Sequence, residues 1–430
     1  MPRPREESEL EQVEDALLDG DVAYNQGTAQ AALRHRDFRI VYFGTFASNI
    51  GTWMQNVILG AYALDLTHNG AFVALVFFAQ LGPLLFLSLT GGALADVVDR
   101  RRLLVGLQLA QGILSLGLAA VAWTSNPSRA AIVALVFAIG IANALGAPGL
   151  SAILPTLVPR EDLPGAVALA SAQMNLSRVI GPAIGGIIYF HLDAGPVFAI
   201  NAVTYLFAVV GLLWAQYARR ANAQIEERGL HRLLSGIRIA RRDPVIAQVL
   251  ITLFTFSFFS LAFVGVMPVI AKVDLAIAPK SSQYGLLYAT FGTGAALGAI
   301  TVGTVLARRS KVALLRPGFV AFGIVLAVFG SMRRAALAFP VVGLLGYVYF
   351  LVITCLSTVL QHHLRDEERG RVTALWIMGF GGTVPLGVLV AGPFVTGHST
   401  AVLLVGAVWA LVLAVWSNAT TLREKGASDV

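Results

Sequence analysis

From about residue 40 to residue 418 the chain alternates long apolar runs with short polar breaks. Twelve runs stand out, approximately at 40–64, 70–92, 103–123, 130–155, 164–190, 195–217, 246–271, 283–306, 312–332, 335–360, 372–396 and 399–418. Each holds about 20 or more residues, enough to cross roughly 30 Å of hydrocarbon at about 1.5 Å per residue. Alternating lipid-facing strand patterns are absent. In lipid the backbone must also satisfy its own hydrogen bonds, so helix is the expected state. The pattern predicts an all-α polytopic membrane protein with twelve transmembrane helices.

The polar breaks set the expected orientation. Of the 31 Lys and Arg residues, 25 fall on the side that carries both chain ends. Five fall on the other side (Arg129, Lys272, Lys280, Arg333 and Arg334), and Arg178 lies within a span. Positive charge collects on the cytoplasmic side, so both termini are expected in the cytoplasm. Residues 1–37 read as an acidic cytoplasmic tail, with Glu6, Glu7, Glu9, Glu11, Glu14, Asp15, Asp19 and Asp21 close together. No basic start precedes an apolar core there, so no cleavable signal peptide is expected.

Composition agrees. Of 430 residues, 57% are hydrophobic and 13% charged. Soluble domains carry about 25% charged residues, so too few are present to cover a soluble surface, and an ordinary soluble enzyme is excluded. The net charge of +7 lies in the cytoplasmic loops and gives no sign of nucleic-acid binding. The single cysteine, Cys355, reads as a small core residue.

One constant offset of 206 residues relates two parts of the chain. Val158–Leu169 lies over Leu364–Leu375, and the same shift takes Gly92 to Gly298, Arg102 to Arg308, Gly181 to Gly387 and Gly186 to Gly392. This predicts two six-helix pseudo-repeats, at 38–217 and 246–418, joined by a cytoplasmic linker at 218–245 and followed by a cytoplasmic tail at 419–430. Parallel six-helix repeats hold substrate between them near the midplane.

Two motifs carry candidate chemistry. The loop between spans 2 and 3 runs Gly91-Gly92-Ala-Leu-Ala-Asp96-Val-Val-Asp99-Arg100-Arg101-Arg102. It resembles the signature loop of the major facilitator superfamily, with Gly92, Asp96, Arg100 and Arg101 at its fixed positions. The resemblance implies a cytoplasmic latch: a small residue admits close helix approach, a carboxylate meets a helix N-terminus, and arginines pair with acids on adjacent loops. Val97 and Asp99 depart from the usual basic residue and glycine. Span 5 carries Gly181-Pro182-Ala-Ile-Gly185-Gly186, which resembles the antiporter motif of export-type members. Gly181 and Gly185 lie one turn apart, and Pro182 removes a backbone hydrogen bond, which suits a hinge or seal.

Arg178 is the charged residue nearest the middle of any span, and no carboxylate lies at similar depth. Such a cation marks a cavity, a partner or a substrate, and its candidate partners are amides, carbonyls or an anionic group. Asn49 and Asn56 are seven residues apart on one face of span 1, with Trp53 between them, and join Arg178 as substrate-cavity candidates. Gln108, Gln111, Asn143 and Asn201 are further buried amides that serve equally well as interhelical glue. His362 and His363 are adjacent, so they are no metal pair. No Gly-rich phosphate loop ending in Lys-Ser/Thr and no catalytic constellation stands out. Neither cofactor nor metal is expected.

The stretches Asn49–Gln55, Ala147–Pro159, Gly181–Gly186 and Asp366–Leu375 resemble the bacterial secretion-effector branch of the major facilitator superfamily, which includes the enterobactin exporter and macrolide-efflux relatives. The resemblance implies efflux of a siderophore, macrolide or amphiphilic drug across the inner membrane by alternating access, usually as proton antiport and with multidrug resistance as one outcome. Its partners would be membrane lipid, a small-molecule substrate and protons. Asp65 and Asp96 are the acidic residues placed to titrate, at opposite ends of spans 1 and 2. Two alternatives remain at this point: an importer or facilitator, and a receptor or scaffold acting through the acidic tail.

Overall fold

The computed structural model describes residues 26–87, 98–216 and 230–417, and among them every regular element is helical. The earlier part comprises α1 (Ala29–Arg34), α2 (Arg36–Thr67), α3 (Gly70–Leu81, continuing helically to Leu87), α4 (Arg100–Ala122), α5 (Arg129–Ile153), α6 (Leu163–Leu192) and α7 (Ala194–Trp214). The later part comprises α8 (Leu230–Arg242), α9 (Pro244–Thr255), α10 (Phe263–Val273), α11 (Ser282–Gly303), α12 (Lys311–Ser331), α13 (Ala335–His363), α14 (Asp366–Ile377) and α15 (Thr383–Trp416).

Nine helical segments among the described residues are long and apolar enough to cross a membrane. The helices α2 and α6, at 32 and 30 residues, are longer than most of them but do not qualify on apolarity. The cause is their polar content: α2 carries Asn49, Thr52, Gln55 and Asn56, and α6 carries Gln173, Asn175 and Arg178. The longest apolar segment, Glu367–Trp416, folds back at His398, whose backbone leaves the helical region with φ −138° and ψ 39°. With those two helices and that break, the arrangement accommodates the twelve crossings expected. The outward faces expose Phe190, Phe207, Ile300, Val405 and Val408, among others, which only an apolar solvent tolerates.

Two spans are interrupted by π-helical turns. Phe256–Ser260 joins α9 to α10, and Met378–Gly382 joins α14 to α15. The second contains Gly379, Gly381 and Gly382, where missing side chains weaken the case for a regular helix. In the first, Phe256 sets its ring edge-on to Phe319 and Phe322, at 5.2 and 4.9 Å between centroids. An aromatic core built on Phe263, Phe291 and Tyr349 continues from there.

Helix ends are closed by their own residues. Asp99 accepts a hydrogen bond from Arg102 N at 3.0 Å, Ser128 from Ala131 N at 3.3 Å, and Asp243 from Val245 N at 2.8 Å. Asp99, which departs from the loop signature, is therefore the N-cap of α4. Between the two parts, the described residues form α8. This helix places Gly236 so closely on α14 that a Cβ would stand 2.9 Å from the Arg371 carbonyl.

The chain before α2 is docked. The Gly27 amide donates to Asp162 Oδ1 at 3.1 Å, and the His35 ring lies 2.8 Å from Asp162 Oδ2. Gly165 sits directly under the Thr28 carbonyl, and Gln216 N donates to Asp37 Oδ1 at 3.1 Å. Residues 27–37 thus tie the start of α2 to the start of α6 and the end of α7. The His35 ring and the Gly27 amide hold the Asp162 carboxyl below its ordinary value. A carboxyl lowered in the folded state strengthens the docking above its ordinary pKa of about 4, and that contribution is lost as pH falls through the lowered value. Protection of the amides of residues 27–35 from hydrogen exchange, relative to their intrinsic rates, is therefore expected to be high at neutral pH and to fall only below about pH 4. Asp162→Asn should lower that protection at neutral pH and leave it little changed at low pH, and protection indifferent to both changes would refute the docking.

Candidate functional site

Two adjoining cavities of about 260 and 360 Å³ lie between the earlier and later helices. They share Trp53, Phe77, Leu81, Val264 and Tyr288. The smaller is polar on its α2 side, where Asn49, Thr52 and Asn56 line it together with Gln80 of α3 and Asn143 of α5. The larger is aromatic: Trp53, Phe291, Tyr349, Phe350, Trp376 and Phe380 surround Arg178. All four sequence-predicted cavity candidates, Asn49, Trp53, Asn56 and Arg178, face this joint space.

Arg178 is held by rings. Its guanidinium carbon lies 4.9 Å from the Trp53 ring centre and 4.5 Å from that of Phe350. The guanidinium donates a hydrogen bond to Asn175 Oδ1, at a long 3.5 Å and one turn earlier on α6. Trp53 comes from α2 and Phe350 from α13, so the cation is clasped by both parts of the chain. Such desolvated cation–π contacts are worth about 2 kcal/mol, less than burial of a cation costs. Among the described residues lining the two cavities there is no carboxylate. The arrangement leaves a positive field in an apolar, aromatic chamber, ready for an anionic group on an aromatic or apolar body.

Other amides serve as glue. Asn201 Nδ2 donates to Gln55 Oε1 at 2.9 Å, fully buried between α7 and α2. Gln173 Nε2 donates to Thr45 Oγ1 at 3.1 Å between α6 and α2. Polar positions on α2 thus divide by face, some stitching helices and some lining the cavity.

The span-5 motif packs on two sides at once. A Cβ on Gly181 would stand 2.7 Å from the Ile50 carbonyl and 2.8 Å from Trp53 Cβ, and one on Gly185 2.7 Å from Met54 Cγ. Gly186 faces the other way, and its Cβ would stand 2.7 Å from Gly285 Cα on α11. The Pro182 carbonyl lies against the same glycine. Further along, Gly292 of α11 rests on the Arg178 backbone. The glycines therefore let α6 touch α2 and α11 simultaneously and fix the height of Arg178 and Trp53. In the loop motif, Gly92 and Asp96 lie outside the described residues. Arg100 and Arg101 open α4, and neither lines the two cavities.

Sequence reasoning missed Gln80, Tyr288, Tyr349, Phe350, Trp376 and Phe380. Gln80 had a signal, being the one polar side chain in residues 70–87. The aromatic residues had none, because their positions depend on which helix faces which.

A profile of transmembrane secretion effectors, a major facilitator family, matches residues 27–430. The chain belongs to that family. It is a multi-pass membrane transporter of the major facilitator type. The chain is 27% identical over 354 residues to the enterobactin exporter EntS of Escherichia coli, covering 80% of this chain and 81% of that protein, and equally so to EntS of Escherichia fergusonii. Its fold is similar to the peptide transporter PepTSo, with a TM-score of 0.74 at 13% identity over 92% of this chain and 99% of that one. It is also similar to the nucleoside transporter NupG, at 0.71 and 15% identity over 89% and 98%. At such identities these structures bear on the fold alone.

For a secretion-effector transporter packed this way, the motif glycines are separable from incidental ones. Gly185→Val should lower the melting temperature of the purified protein by forcing Met54 aside, a loss of about 1–3 kcal/mol. Gly106 has nothing within 4 Å of its missing Cβ. Gly106→Ala should hold or raise the melting temperature by removing a helix-interior glycine. Equal losses in both variants would refute the packing role.

Proposed function

We propose that the protein exports an anionic, partly aromatic small molecule from the bacterial cytoplasm across the inner membrane by alternating access, with protons moving inward. The observation that carries this reading is the Arg178 guanidinium, clasped by Trp53 and Phe350 in a cavity whose described lining holds no carboxylate. A cation in such a place favours a bound anion, and the surrounding rings favour an apolar body. The relatives named as enterobactin exporters support the outward direction and a siderophore-like cargo.

The moving parts in this reading are two six-helix bundles, 38–217 and 246–418, with both chain ends in the cytoplasm. Glycines 206 residues apart support the division. Gly186 of α6 touches α11, and Gly392 of α15 touches α3 at Gly70 and Ala74, so each motif helix meets the opposite bundle. Charge placement assigns the end with His68, Asp193, Lys272 and Lys280 to the outside. There Lys280 pairs with Asp193, the Lys272 ammonium lies 3.0 Å from His68 Nδ1, and the Gly70 amide donates to Thr396 Oγ1 at 3.3 Å. These are the contacts that separate when the outer side opens. Gly92, Asp96, Arg100 and Arg101 form the corresponding cytoplasmic latch.

Cells with and without the protein, grown under iron limitation, test the reading by untargeted mass spectrometry of cells and medium. An anionic aromatic compound should accumulate inside when the protein is absent and appear outside when it returns. Arg178→Gln should leave the protein inserted and raise the half-saturating cargo concentration about ten- to a hundredfold, the worth of one charge-assisted contact. No compound that shifts, or full export by Arg178→Gln, would overturn the reading.

A further inference from the structure

Four side-chain amides line the smaller cavity without a bond to the protein that carries them. Asn49 and Asn56 belong to α2, Gln80 to α3 and Asn143 to α5. Among the described residues, none of the four side chains makes a hydrogen bond. Amides elsewhere in the bundle behave otherwise. Asn201 donates to Gln55, Gln173 to Thr45, and Gln248 to the Trp416 carbonyl. Gln80 makes the sharpest contrast. Only 8% of its surface is exposed, its helix is otherwise apolar, and it lines the cavity. Burying a carboxamide in an apolar span without a partner is costly, and leucine would fill nearly the same space.

The position of these amides relative to Arg178 follows from α2. Trp53 lies 4.9 Å from the guanidinium carbon and lines both cavities, so it belongs to the cation's cage and to the amide chamber alike. Asn49 and Asn56 stand about 6 and 4.5 Å from it along the helix axis, one on either side. A molecule whose anionic aromatic end lies at Arg178 therefore reaches the amides with a short tail.

Chemistry limits what that tail is. A carboxamide offers two N–H donors and an oxygen acceptor, and it carries no charge. Four of them together satisfy a neutral group that both donates and accepts. A carboxylate or an ammonium would use only half of what they offer, and an apolar tail would leave them all unpaired. We infer that the smaller cavity is a second subsite, where Asn49, Asn56, Gln80 and Asn143 select a cargo with a neutral carboxamide or hydroxyl tail on its anionic aromatic end. The inference rests on the exporter reading and narrows its cargo from any aromatic anion to a two-part molecule. A site built to hydrogen-bond one group rejects the analogue that lacks it more strongly than an apolar pocket rejects a misfit.

Three probes with one benzoate head and different tails test the subsite: para-carboxybenzoyl glycinamide, the glyceryl ether of para-hydroxybenzoate, and para-pentylbenzoate. Binding of each to the purified full-length protein is measured by calorimetry. Gln80→Leu should weaken at least one polar-tailed probe about tenfold, the worth of one hydrogen bond, and leave the pentyl probe as tight or tighter. The tail that responds separates carboxamide from hydroxyl. Asn143→Ala, on a different helix, should give the same split, so the result does not hang on the folding of one variant. Gln80→Leu should also melt at or above the wild-type temperature, since it loses no partner within the protein. Asn201→Leu, which strands Gln55, should melt lower and leave the ratio between probes alone. Equal losses for all three probes, or unchanged binding of both polar tails in the two cavity variants, overturns the subsite. A melting temperature that falls in Gln80→Leu as it does in Asn201→Leu makes Gln80 interhelical glue and overturns it too. Arg178→Gln tests the reading beneath and should weaken all three probes alike. If it weakens none while the Gln80→Leu split persists, the anion site falls and the amide subsite stands. Failure of the wild type to bind any of the three overturns both.

Discussion

Keeping a guanidinium at mid-depth in a membrane protein, with no carboxylate among the described residues of its cavity, constrains everything around Arg178. Water cannot solvate it as it would at a surface, so the protein supplies a distributed substitute: two ring faces, one side-chain amide and a cavity. Both rings must arrive from other helices, because α6 offers none at the right height. Trp53 comes with α2 and Phe350 reaches over from α13, while α6 itself packs directly on α2 and α11, where Gly181, Gly185 and Gly186 let the backbones approach closely. The glycine motif and the buried cation are thus one feature. The first sets the helix spacing that the second needs.

Much of this was legible in the sequence, and the reasons differ by level. Apolar runs reported the spans because hydrocarbon thickness fixes their length, and the two spans that qualify least by apolarity supply Asn49, Thr52, Asn56 and Arg178 to the cavity. Arg178 declared itself by charge alone. Asn49, Trp53 and Asn56 were readable because a 3.6-residue period puts them on one face. Asn201, by contrast, looked like the same kind of amide and turns out to bond Gln55 between helices. Nothing local separates the two cases, since the distinction is which neighbour a face meets. Phe350 and Tyr288 escaped for the same reason. The π turns escaped too, although the second contains the glycine cluster at Gly379–Gly382, which disfavours a regular helix there. The docked segment at residues 27–37 was hidden because its anchor, Asp162, lies 135 positions from Gly27.

The site also bears on how a single cation can serve a cycle. In the proposed export cycle, a cargo anion at Arg178 would neutralise the cavity and let the two parts of the chain close on it, whereas an empty cavity would retain an uncompensated charge. Binding energy would then be realised mainly in the occluded arrangement, where both Trp53 and Phe350 reach the guanidinium. This is the differential affinity that a population shift requires. A cation fixed to one bundle and clasped by a ring from the other senses the distance between them.

Release in that cycle then needs a way to weaken the attraction. Parting the two halves would supply it: Phe350 belongs to the part of the chain that does not carry Arg178, so separation would withdraw its ring from the guanidinium and readmit water to both the cation and the departing anion. The ring that helps hold the empty cation in place would thus also report whether the halves are together.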